Sequence, residues 1–244
     1  MRIDTRNTAL SVAATLPFLI AEGVLGYFVQ RGDFVTEAMY FCVVLAFVFS
    51  VASLSRTPAV EFNLIRIGLL ITLLADYYLV VSSPARQLSG VITFFFVQMA
   101  YFLALLVSDK CRTRRIVHIA VRCGATVLVI PIAFLVLGES VDALAIFSAL
   151  YYVNLVTSTV FAFLNYKRWW LFGIGLVAFC LCDASIGFTF LANEYIGAAE
   201  GGIIYKIANS GVNLAWVFYV PYLAIAGVTP YIPLGTRSSD FSQT

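Results

Sequence analysis

Long apolar runs, broken by short clusters of charged and turn residues, divide this chain into eight segments near residues 9–29, 38–54, 62–81, 89–108, 116–138, 141–164, 169–192 and 205–228. About 20 mostly apolar residues make one helical crossing of a bilayer, so the pattern predicts eight membrane-spanning helices. The connecting loops are short and leave no room for a soluble module or a nucleotide-binding domain. An all-α fold follows, a single bundle over residues 1–244 with 229–244 as a short tail. Polar positions inside the spans fall in stripes. Gly68, Thr72 and Asp76 recur every four residues and share one helix face. Gly90, Phe94, Gln98 and Tyr101, at spacings of four, four and three, share a face in span four, as do Gly175, Phe179, Asp183 and Gly187 in span seven, and Asn209 and Asn213 in span eight, ahead of Tyr219 and Tyr222.

Two of these stripes echo each other. Spans three and seven both carry Gly-Leu, with an aspartate eight residues after the glycine. The two spans are four apart, an even number, so both helices run the same way. The expectation is a parallel repeat of two four-helix halves about an axis along the membrane normal, with Asp76 and Asp183 lining one cavity.

Composition agrees with the pattern. At 61% hydrophobic and 11% charged residues, there is too little polar surface for a water-soluble domain, and the bilayer is the first partner. If the spans alternate, Arg2, Arg6, Arg56, Lys110, Arg112, Arg114, Arg115, Lys167, Arg168 and Arg237 fall on one side and only Arg31 and Arg86 on the other. Basic loops stay cytoplasmic, which predicts that both termini are cytoplasmic. The same rule accounts for the run Lys110 to Arg115, and no nucleic-acid partner is inferred. Arg66, close to a span end, is expected to snorkel, and Trp169 with Trp170 to form an interfacial anchor. A single histidine, His118, rules out a histidine-rich metal site, and Cys180 and Cys182 point in different directions on their helix. Neither metal nor cofactor is expected.

A carboxylate at membrane depth costs several kcal/mol unless it meets a partner or water, and marks a functional site by default. Asp76 and Asp183 are therefore the leading candidates. Glu22, in the outer half of span one, is a third. Thr72, Gln98, Tyr101, Tyr151, Asn209, Asn213 and Tyr219 are the polar and aromatic groups expected around a bound ligand, which in such a place is a lipid or another amphiphilic small molecule. The residues alone leave two alternatives open: binding or transport of a cation or amine, and simple hydrogen bonding between helices.

Gly68, Leu69, Ala75 and Asp76, then Gly90, Phe94, Gln98 and Tyr101, then Phe179, Cys182 and Asp183, and more loosely Phe218, Tyr219 and Tyr222, resemble the motifs of the YhhN-type lysoplasmalogenase family of eight-span membrane proteins. Gln98 stands where the family has a histidine, and Tyr222 where it has a glutamine. The resemblance implies hydrolysis of the vinyl ether bond of a lysoplasmalogen, giving a fatty aldehyde and a glycerophospho-head group. Such a bond is cleaved by protonating its carbon and adding water to the resulting oxocarbenium-like ion. That chemistry needs an acid and a base on either side of the reacting atoms, the division of labour used by paired carboxyl groups in glycosidases, and Asp76 with Asp183 supplies both.

Overall fold

The computed structural model describes residues 5–32, 34–53, 59–82, 84, 86–190, 202 and 213–231. They form eight helices long and apolar enough to cross a membrane: α1 (Thr5–Arg31), α2 (Val35–Ala52), α3 (Val60–Asp76), α4 (Gln87–Ser108), α5 (Arg112–Leu137), α6 (Ala143–Leu164), α7 (Tyr166–Phe190) and α8 (Leu214–Val228). No strand occurs among the described residues. Helices suit this composition because lipid offers backbone groups no hydrogen bonds, and a helix pairs them within one segment. Pro17, Pro131 and Pro221 lie inside α1, α5 and α8 without ending them.

Six helices close into a ring, in the order α2, α3, α4, α6, α7, α8 and back to α2. α1 packs outside on α2 and α8, and α5 outside on α6. Advancing each helix number by four turns α1 on α2 into α5 on α6, α2 on α3 into α6 on α7, and α3 on α4 into α7 on α8. Within the ring, α4 on α6 becomes α8 on α2, which is also present; α1 on α8 is the exception, its counterpart being the slighter approach of Arg122 and His118 of α5 to Phe102 of α4. The packing therefore has the two-fold pattern expected of a parallel repeat.

Side chains of corresponding helices meet across that axis. Glu61 and Arg168, 107 residues apart, form an ion pair between α3 and α7; the same offset relates Gly68 to Gly175 and Asp76 to Asp183. Tyr101 and Tyr222, 121 residues apart, join α4 to α8 with their hydroxyl oxygens 2.6 Å apart. Glu61 and Arg168 stand at the offset of the repeat, and a contact between equivalent residues places the axis between them; the Tyr101–Tyr222 contact joins the corresponding helices α4 and α8.

Small residues permit the closest crossings. A methyl group on Gly68 would lie 2.3 Å from the Tyr101 ring, and one on Gly90 would lie 2.5 Å from the Leu79 side chain. Leu79 belongs to a π-helical turn, Tyr77–Val81, in which the Ser82 amide reaches back to the Tyr77 carbonyl at 2.8 Å. This wider turn follows Asp76 directly.

Two sequence expectations change. Arg66 does not snorkel: it is buried, and its guanidinium donates to the Ser50 carbonyl at 3.0 Å, Ser53 Oγ at 2.7 Å and Asn63 Oδ1 at 2.6 Å. Inward carbonyls and hydroxyls satisfy it better than the bundle edge. Trp169 is no surface anchor either, being fully buried with its indole N–H on Ser108 Oγ at 2.7 Å. Trp170 alone is exposed.

Candidate active site

The ring interior collects most of the polar stripes. Asp76 ends α3 on the same face as Thr72, and its Oδ2 accepts a hydrogen bond from the Tyr219 hydroxyl of α8 at 2.6 Å. Asp183 of α7 accepts from the Tyr151 hydroxyl of α6. The two carboxyl groups are close enough for the charge on Asp76 to bear on Asp183, and the Cys182 thiol senses both. Asp76 is buried and Asp183 partly so. Each carboxyl thus has one tyrosine donor, on one of its two oxygens.

Thr72 donates to the Gly68 carbonyl at 2.9 Å and lies beside both hydroxyls of the Tyr101–Tyr222 pair. Aromatic rings pack around the tyrosines that hold the aspartates. Phe179 stacks on Tyr222 with ring centroids 4.2 Å apart and meets Tyr219 and Phe94 at 5.6 Å. Phe94 in turn meets Tyr151 at 5.8 Å. Around the carboxyl groups lie apolar ring surface and phenolic hydroxyls that supply directed donors.

Gln98 lies on the same face of α4 as Phe94 and Tyr101. It is fully buried, and neither its amide nitrogen nor its carbonyl oxygen has a hydrogen-bond partner. Glu22 is also buried, at 1% exposure, and its carboxyl faces the Cys42 thiol of α2 without a nitrogen or oxygen partner.

The structure therefore brings Asp76, Asp183, Thr72, Tyr101, Tyr151 and Tyr219 to one interior, with Gln98 on a face directed into it. Asn213 has a different position. It caps α8, its side chain accepting from the Trp216 amide at 3.4 Å, while its backbone exchanges two hydrogen bonds with the Gln30 side chain at 3.0 and 3.1 Å. Six residues of helix, about 9 Å, separate it from Tyr219. Asn209 lies outside the described residues. Among the described residues, no three His, Cys, Asp or Glu side chains converge as a metal ion would require.

The YhhN family model matches residues 33–208, close to three quarters of the chain. The chain belongs to the YhhN family. Comparison with curated proteins and with solved structures finds no match. The YhhN match takes in α2 to α7, hence Asp76, Asp183, Thr72, Gln98, Tyr101 and Tyr151, whereas Glu22, Tyr219 and Tyr222 come from α1 and α8 outside it. Two interior groups were not among the ligand-site candidates from sequence. Tyr222 is the partner of Tyr101, and the repeat was a signal for it once α4 and α8 were paired. Cys42 faces Glu22 from a span with no ionisable carboxyl or basic group of its own in mid-helix, and no sequence signal singles it out.

Proposed function

We propose that this YhhN-family membrane protein hydrolyses the vinyl ether bond of a lysoplasmalogen-type lysolipid. The observation that carries the reading is the pair of equivalent aspartates, each held by a tyrosine hydroxyl in the bundle interior. One carboxyl, protonated, delivers its proton to the vinyl carbon distal to the oxygen. The cation left on the carbon next to oxygen then takes up water, whose proton passes to the other carboxylate. The hemiacetal collapses to a fatty aldehyde and a free hydroxyl on the glycerophospho-head group. One water is consumed, and the carboxyl pair regains its single shared proton.

Family membership supports this chemistry, and so does the bundle. The axis is occupied by the Glu61–Arg168 pair, the Tyr101–Tyr222 pair and the Phe179 stack, an arrangement suited to an enclosed site that takes an amphiphile from the lipid and poorly suited to a through-path for a transported ion. The single acyl-like chain of a lysolipid remains in apolar surroundings while its polar part meets the carboxyl groups.

The test is aldehyde release from a vinyl-ether lysolipid by the purified protein. Asp76→Asn and Asp183→Asn should each lower turnover by at least 100-fold while leaving an extractable folded protein. The double substitution should cost little more than either one, because acid and base act as a unit. Gln98→His, which restores the residue the family resemblance places there, should retain or raise turnover. A wild-type protein and a Gln98→His variant that both release no aldehyde would sink the hydrolase reading; charge-dependent amine binding in its place would favour transport.

A further inference from the structure

Gln98 breaks the two-fold pattern of the interior. At the offset that relates Tyr101 to Tyr222, its counterpart is Tyr219, which donates to Asp76. The same operation carries Asp76 to Asp183, so the repeat directs Gln98 towards Asp183. Asp183 is bonded instead by Tyr151 of α6, and the Gln98 amide is left with neither a donor nor an acceptor while fully buried. Its place in the layer is set by its neighbours on the helix face. One turn before it, Phe94 touches both Tyr151, the partner of Asp183, and Phe179; one turn after it, Tyr101 meets Tyr222 and Phe172.

A buried primary amide with nothing bound to it carries the full penalty of lost hydration, and such a group in a native structure calls for an explanation. We infer that Gln98 and Asp183 form a subsite for a ligand hydroxyl group, the free hydroxyl of the lysolipid glycerol next to the scissile ether. The inference rests on the lysolipid reading of this site. The choice of group follows from donor and acceptor counts. A phosphate offers only acceptors at neutral pH, an ammonium only donors, and the hydrocarbon chain neither. A hydroxyl is the one part of such a lipid that donates through its hydrogen and accepts through its oxygen at a single point. It donates to the Asp183 carboxyl oxygen that Tyr151 leaves open, and it accepts from the Gln98 amide. That contact would fix the glycerol end of the ether, and with it the vinyl carbons, relative to Asp76 and Asp183. A lipid acylated at this position brings no hydrogen to donate and adds bulk, so the subsite would select lysolipids over diradyl lipids.

The experiment uses a saturated, uncleavable ether lysolipid and its analogue lacking the glycerol hydroxyl, with binding to the detergent-solubilised full chain measured by calorimetry or thermophoresis. Wild type should prefer the hydroxylated lipid by about 10- to 100-fold, the range for a hydrogen bond to buried polar groups. Gln98→Leu should reduce that preference to under about 3-fold by weakening the hydroxylated lipid alone, and Gln98→Asn, which keeps an amide on a shorter arm, should retain part of it. Without lipid, Gln98→Leu should melt at or above the wild-type temperature, since it removes a buried unpaired amide. Equal preference in wild type and Gln98→Leu, or a clear loss of thermal stability in Gln98→Leu, would overturn the inference. Its failure is separable from failure of the hydrolase reading: aldehyde release with no hydroxyl preference refutes the subsite alone, and hydroxyl preference without aldehyde release refutes the chemistry alone.

Discussion

Gly68 has no room for a side chain, and that follows from what Tyr101 does. The phenol ring must cross α3 at this point for its hydroxyl to reach Tyr222. Gly68→Ala should push the ring aside and destabilise the protein by about 1–3 kcal/mol, the usual cost of overpacking. Gly23→Ala in α1, where an added methyl meets nothing within 4 Å, should be neutral or stabilising by up to about 1 kcal/mol. Melting temperatures of the two variants in one detergent decide the matter, and equal effects would refute the packing account. Tyr219→Phe addresses the other hydroxyl contact. It removes the donor to Asp76 and should reduce aldehyde release by roughly 10-fold or more, with a smaller effect on KM than on kcat if the hydrogen bond acts on the acid or base itself.

Each helix is placed by contacts at its ends as well as by its apolar faces, and α5 shows this most clearly because it packs on the ring mainly along α6. Arg122 reaches from α5 to Asn154 Oδ1 at 2.9 Å and Ser158 Oγ at 2.5 Å, with its guanidinium 4.2 Å above the Phe102 ring. The start of α5 is tied by Asp109, which accepts from the Arg114 guanidinium and from the Cys111 amide at 2.9 Å. Burial pushes the Asp109 carboxyl up, but the Arg114 and Cys111 hydrogen bonds outweigh it and hold the group below the usual carboxylate range. A carboxyl depressed by folding stabilises the protein above its unfolded value, near 3.9, and loses that contribution as pH falls through the lower folded value. Asp109→Asn should therefore lower stability by about 1 kcal/mol at pH 7, with the difference shrinking below about pH 4. A melting-temperature difference that stays constant between pH 7 and pH 3 would contradict this.

Across the whole molecule, the two halves are held by pairs that the two-fold axis creates. Glu61 and Arg168 join α3 to α7 at the end of the bundle that carries Arg114 and Asp109. The pair is partly exposed, so Glu61→Arg should cost about 1 kcal/mol, and adding Arg168→Glu should recover most of the loss by restoring opposite charges at equivalent positions. Failure of the swap to recover stability would mean that the pair does not bridge the halves. Orientation in the bilayer is a proposal from the basic loops: with eight spans, single cysteines placed in the two tails should both be labelled only after the membrane is permeabilised, and labelling of the C-terminal tail in intact cells would overturn it.

The alternation of apolar runs and charged loops determined eight spans and the all-helical class, because a bilayer imposes one length and one backbone solution on every crossing. Four-residue spacing determined which residues share a face of α3, α4 and α7. The matching aspartates, an even number of spans apart, indicated a parallel repeat. Periodicity specifies a face relative to its own helix, but not how that helix is rotated against its neighbours. The tertiary structure alone decided that Asp183 takes its hydrogen bond from Tyr151 and Asp76 from Tyr219, that Tyr101 finds Tyr222, and that Gln98 finds no one. It also turned Arg66 and Trp169 inward, where the sequence had both at the surface. Their partners Ser50, Ser53 and Ser108 are small polar residues on other helices, common in any membrane bundle, and only the rotation of α2, α3, α4 and α7 against one another brings them within hydrogen-bond reach.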